Sequence, residues 1–127
     1  MVQLSLMGRD DSRTLAATVP LLVQQWVRRL GDGPHVAVAA RATSAQFSGW
    51  GSRELTFREQ ARVAEYFGGV VRRATMRAND AAGLRARQRL VAATIEADLL
   101  SAGWDADRAA AEAVRATGGA IGCAGAA

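Results

Sequence analysis

The sequence predicts a mainly α-helical single domain, a bundle of four to five helices with a short extended or β element near the N-terminus. Two observations carry this: apolar residues return at helical spacing over several long segments, and Ser, Thr or Asp stands just ahead of each as a cap. A third concerns size. At 127 residues, 50% of them apolar and 22% charged, the chain has the length and balance of one folded core. The domain is placed over residues 1–117, with a Gly/Ala-rich C-terminal tail over 118–127.

Residues 2–7 alternate apolar and polar, the pattern of a short strand or extended arm, until Gly8 and Arg9-Asp10-Asp11-Ser12 break it. Asp11 or Ser12 can cap a helix beginning just after them. Leu15, Val19, Leu22, Val23, Trp26 and Leu30 then share one helical face, and Gly31-Asp32-Gly33-Pro34 ends it. Pro20 lies inside this segment, so the helix either kinks there or starts near Thr18. Residues 35–42 are ambiguous: Val36 and Val38 at period two favour strand, the alanines helix. Ser44 to Ser52, with Phe47 and Trp50, is expected to be a loop with aromatic anchors.

Thr56-Phe57-Arg58-Glu59 is a capping box, the threonine serving the N3 amide while the glutamate reaches back. The helix it opens segregates cleanly. Phe57, Ala61, Val63, Ala64, Phe67, Val70, Val71 and Ala74 take one half; Arg58, Arg62, Arg72, Arg73 and Arg77, with Glu59, Glu65 and Tyr66, take the other. Gly68-Gly69 either breaks this helix or, with Gly68 on the apolar half, admits another backbone. Asn79-Asp80 caps a helix over about 81–102 that is apolar on two sides. Leu84, Val91, Ile95 and Leu99 form one side; Ala86, Leu90, Ala93, Ala97 and Leu100 form the other. Such a helix touches two neighbours or an oligomer seam, so a homo-oligomer is expected. Gly103 stops it, and Asp105 caps a last Ala-rich helix to about Thr117. The expected core comprises Leu15, Val19, Leu22, Trp26, Phe57, Phe67, Val71, Leu84, Val91, Ile95 and Leu99.

Charge is the strongest functional signal. All 16 basic residues are arginine against 12 acids, a net charge of +4. Arginine and alanine bias also follows from GC-rich coding, so distribution says more than total. Within 58–89 stand 8 arginines and 3 acids. Arg58 and Arg62 have glutamates at helical neighbour positions; Arg72 and Arg73 have none, so they either complement the helix C-terminal dipole or meet an external anion. Arg77, Arg85, Arg87 and Arg89 continue the basic density across the Asn79-Asp80 turn. The expected binding residues are therefore Arg58, Arg62, Arg72, Arg73, Arg77, Arg85, Arg87 and Arg89. They imply a non-enzymatic nucleic-acid-binding protein, a regulator for instance, held by arginine–phosphate contacts. The alternative is an assembly or adaptor subunit, of a phage particle or larger complex, whose arginines pair with acidic protein surfaces. Leu55-Thr56-x-Arg58-Glu59 resembles the opening of a LuxR-type helix-turn-helix, but the recognition half of that motif does not follow.

Catalytic apparatus is not visible. His35 follows a turn near Asp32, yet no Gly-x-Ser-x-Gly or comparable nucleophile motif accompanies it. Cys123 has no neighbouring cation to activate it, and as a single cysteine it cannot form an internal disulfide. Glu96 and Asp98 point to different sides of their helix. Metal spacings and phosphate loops are absent, so no cofactor, metal or enzyme activity is expected. The longest apolar run is far short of the roughly 20 residues that span a bilayer. It also lacks a nearby small-residue cleavage site, and the expected location is cytoplasmic.

Overall fold

Thr18 opens the first helix. Its Oγ1 accepts from the Leu21 N–H at 3.2 Å, and α1 runs Val19–Leu30. Pro20 sits in the first turn, where backbone N–H groups have no intrahelical partner, so it costs no hydrogen bond. The helix therefore begins at Thr18 rather than kinking. Gly31, at a φ of 89°, ends it with its N–H on the Val27 carbonyl. The computed structural model describes residues 17–77 and 80–118. Leu15, the extended element over 2–7 and the tail beyond Gly118 lie outside those residues.

Residues 35–42 are helical, part of α2, Pro34–Gln46, with Pro34 at its first position. Val36, Ala39 and Thr43 are fully buried at helical spacing, while Val38 is exposed. Period two would have put both valines on one side; packing selects the other period. The same buried stripe carries the helix through Gln46, so the segment expected as a loop from Ser44 is helical for its first three residues. A 3-10 turn, Ser48–Trp50, comes next. The chain then crosses back, and the Leu55 N–H donates to the Ala17 carbonyl at 2.7 Å.

The capping box forms as expected: the Glu59 N–H donates to Thr56 Oγ1 at 3.2 Å, and the Thr56 N–H donates to Glu59 Oε1 at 3.0 Å. It opens α3, Phe57–Met76, which runs unbroken through Gly68-Gly69. A Cβ on Gly68 would stand 2.4 Å from the Ala116 carbonyl oxygen, so the glycine admits a neighbouring backbone. Asp80 caps α4, Ala81–Ser101, through the Gly83 N–H, and Asp105 caps α5, Ala106–Ala116, through that of Arg108. Among the described residues the protein is a bundle of these five helices without a strand.

The third helix is the centre: α2, α4 and α5 all pack on it, and α1 closes the far side against α2 and α4. Trp26 and Phe67 meet at 4.8 Å between ring centroids, surrounded by Leu22, Leu55, Val63, Val71, Val91, Ile95 and Leu99. Of the expected core, Phe57 and Leu84 are only half-buried. Phe57 sits at the rim, edge-on to Trp104 at 5.5 Å, and Leu84 lies in the first turn of α4.

The seams differ in quality. Beside the α3–α5 seam, the indole N–H of Trp104, in the turn that leads into α5, donates to Gln60 Oε1 at 2.9 Å, both groups being buried. Between α1 and α4, Asp98 is 1% exposed and neither carboxylate oxygen accepts a hydrogen bond. Arg29 Nε lies 3.3 Å from Asp98 Oδ1, close enough for an ion pair but not aligned to donate. A gap of about 60 Å³ adjoins it, lined also by Leu21, Leu22, Gln25 and Ser101.

Candidate functional site

The eight arginines of residues 58–89 do not form one face. The core side of α3 (Val63, Phe67, Val71) and that of α4 (Val91, Ile95, Leu99) are turned toward each other. Side chains opposite those stripes must then point away from the pair in two directions. Arg58, Arg62, Arg73 and Arg77 are exposed on the α3 side, Arg85 and Arg89 on the α4 side. The expected continuous basic surface across the interhelical turn is thus divided between two sides of the molecule.

Two arginines are also partly withdrawn from the surface. Arg87 is half-buried and turns back to the α1–α2 turn, its Nη2 within 3.5 Å of where a Gly33 Cβ would stand. Arg72 is half-buried against Gly118, with its Nη1 3.6 Å from Met76 Sδ. Arg72 and Arg73 therefore part company despite being neighbours, because consecutive helical residues diverge by about 100°. One leans toward the end of α5 and the other folds over Gly69, on the side of α2.

What the fold does assemble is a basic, aromatic groove. Arg62 and Arg73, three turns apart on α3, border an opening of about 320 Å³ with Gln46, Phe47, Glu65 and Tyr66. Phe47, buried at the end of α2, stands edge-on to Tyr66 at 5.7 Å and tilted against Trp50 at 4.9 Å. The guanidinium of Arg62 lies 5.6 Å from the Trp50 ring centroid, and that of Arg53 5.1 Å from it. Stacking of this kind holds the planar cation in place and leaves its N–H edge open to an oxyanion.

The two stacked arginines differ in their partners. Arg53 donates from Nη1 and Nη2 to the two Glu59 oxygens, at 2.9 and 2.8 Å. This fork, with the Thr56 N–H, holds the Glu59 carboxyl down at about 2. Arg62 and Arg73 make no ion pair among the described residues. Among the described residues that border the groove, Glu65 is the one carboxylate.

Phe47 and Trp50 are legible in the sequence as aromatic anchors, but Arg53, Gln46 and Tyr66 are not among the expected site residues. The Arg53–Glu59 pair spans a loop and a helix start, a separation with no fixed periodicity. Tyr66 reads as part of the polar half of α3, and only the position of α2 makes it a wall. His35 is half-buried near the start of α2, and no cluster of three or more His, Cys, Asp or Glu exists among the described residues. No helix there is long and apolar enough to cross a membrane. No family model matches the chain, and comparison with curated proteins and with solved structures finds no match either.

Proposed function

We propose that the chain is a non-enzymatic nucleic-acid-binding protein that grips the sugar–phosphate backbone along the outer side of α3. The observation that carries this is the convergence of Arg62 and Arg73, without ion-pair partners among the described residues, on a groove walled by Phe47 and Tyr66. Arginine suits phosphate because its planar fork donates two parallel hydrogen bonds. Aromatic rings beside it offer bases or sugars an apolar surface. Arg58 and Arg77 extend the charge along the same side of α3. On this reading Arg85, Arg87 and Arg89 take no part in the same contact. A cytoplasmic location, where nucleic acid is at hand, belongs to the same proposal.

The test is a salt titration of binding to fluorescently labelled duplex DNA, single-stranded DNA and RNA. Affinity should fall linearly on a log–log plot, with Arg62→Gln/Arg73→Gln reducing the slope by about two contacts' worth, roughly 0.7–0.9 each. Arg72→Gln, whose side chain is packed against Gly118, should change the slope by less. Trp26 and Trp104 are buried and Trp50 is only half-buried, so emission quenched on binding should vanish in Trp50→Phe. No binding to any of the three at ~50 mM salt overturns the reading. Recovery of an acidic protein by the wild type but not by the double variant would then favour an assembly subunit instead.

A further inference from the structure

The side of α4 turned away from α3 carries what a second copy of this chain would recognise. Leu90 and Leu100 are 46% and 43% exposed there, in a helix whose opposite side is fully buried. Ala93 lies exposed between them, Ala86 is exposed one turn before Leu90, and Ala97 is half-buried. Charge on this side is segregated along the helix: Arg85 and Arg89 near the start, Glu96 two turns further on. Arg89 and Glu96 share a flank, about 10 Å apart along the axis, too far to pair within the helix. Neither makes an ion pair with another described residue.

We propose that this face forms an antiparallel two-fold dimer, α4 against α4, with Ala93 at the axis. A two-fold of this kind brings the same flank of each helix together with its direction reversed. Arg89 then meets Glu96 of the second copy, and Glu96 meets the second Arg89. On the opposite flank Leu90 covers the second copy's Ala97, and at each end Leu100 covers Ala86. Each exposed leucine is set against an alanine, and Arg89 and Glu96 are each set against the opposite charge. The alanines at the centre let the two backbones approach closely.

A parallel pairing would fail this match, because a two-fold along the helices brings opposite flanks together at equal height and sets Arg89 and Glu96 beside Leu90 and Ala97. The face is thus self-complementary in one orientation. Dimerisation through it leaves both α3 sides open and pointing away from one another, so the inference does not depend on what α3 binds.

Sedimentation of the full chain over a concentration series tests it. The wild type should pass from monomer to dimer with rising concentration, and Leu90→Glu/Leu100→Glu should remain monomeric. Arg89→Glu and Glu96→Arg should each weaken the dimer by about tenfold or more, because each sets like charges together. The variant carrying both changes should recover it. All of these positions are exposed or half-buried, and an unchanged helical circular dichroism spectrum checks that the fold is kept. Independently, Ala93→Cys in a Cys123→Ser background should cross-link rapidly on oxidation, while Val38→Cys in the same background should not. A wild type that stays monomeric throughout overturns the proposal. So does a dimer indifferent to the leucine changes, a charge swap that fails to restore it, or equal cross-linking at residues 93 and 38.

Discussion

Where α5 lies along α3, a glycine admits a carbonyl and a buried indole finds an amide oxygen. Where α1 lies along α4, a buried carboxylate has no hydrogen bond and adjoins a gap of about 60 Å³. The contrast extends to the second buried acid, Glu112 of α5. Burial pushes its carboxyl up, as it does that of Asp98, but Glu112 Oε1 accepts from Arg115 Nη1 at 3.2 Å. Satisfied polar groups fix a seam in one arrangement, whereas an unsatisfied one costs stability without directing anything. The α3–α5 seam should therefore be brittle toward substitution, and the α1–α4 seam improvable.

The largest effect is expected at Gly68. A methyl group there meets the Ala116 backbone at 2.4 and 2.7 Å, so α5 must shift. Gly68→Ala should cost about 2–3 kcal/mol in urea unfolding, the usual penalty of overpacking. Gly69→Ala is the control. Its methyl would meet only the Arg73 guanidinium, at 3.4 Å, and it should stabilise by about 0.5–1 kcal/mol through helix propensity. If both glycines respond alike, the seam is not close-packed.

Next comes Trp104→Phe, which removes the indole donor from Gln60 Oε1 and part of a ring packed on Phe57. About 1–3 kcal/mol should be lost, the cost of a buried polar group deprived of a partner. At the other seam Asp98→Leu should run the opposite way, raising stability by about 1 kcal/mol. The replacement removes a desolvated charge and fills part of the gap beside Leu21 and Leu22. A loss of stability in Asp98→Leu would mean that Arg29 does more at this seam than its unaligned 3.3 Å approach indicates.

The two seams also differ in how far the sequence reveals them. Caps and faces are local properties, so Thr56-x-x-Glu59, Asp80 and Asp105 mark their helices without knowledge of the rest. Gly68 can be singled out because it falls on the apolar half of α3. The identity of the backbone that approaches it depends on where α5 lands. The helical state of 35–42 is undecided locally, since Val36 and Val38 suit a strand, and burial against α3 chooses between them. The arginine-rich stretch is visible as charge, but its division into two sides comes from how α3 and α4 face each other. Most of the groove depends on α2 meeting α3, a contact no spacing encodes. Asp98 reads as an ordinary polar position of a helix; its burial beneath α1 is purely tertiary.

The smallest effect, and the one that separates two local environments in a single titration, is in pH. Glu59 is held at about 2 by Arg53 and the Thr56 N–H, below its ordinary 4.5. Its contribution is thus present above pH 4.5 and drains away as pH falls from there to about 2. The pair is on the surface, where screening keeps such terms to under about 1 kcal/mol. Asp98 has the opposite sign. Burial raises its carboxyl above 3.8, against the pull of Arg29, so its relative contribution is full below that pH and is lost as pH rises through the raised value. On acidification the two oppose each other, Glu59 losing what Asp98 regains. Glu59→Gln should consequently be less stable than the wild type at pH 7 and no different near pH 2. Asp98→Leu should show a steeper acid decline than the wild type, because the compensating group is gone. Thermal melts of the three proteins between pH 2 and pH 7 measure this directly. Parallel curves for Asp98→Leu and wild type would show that Arg29 fully offsets the burial, leaving the Asp98 carboxyl to titrate in the folded protein as it does in the unfolded chain. The α1–α4 seam would then be as well partnered as the one between α3 and α5.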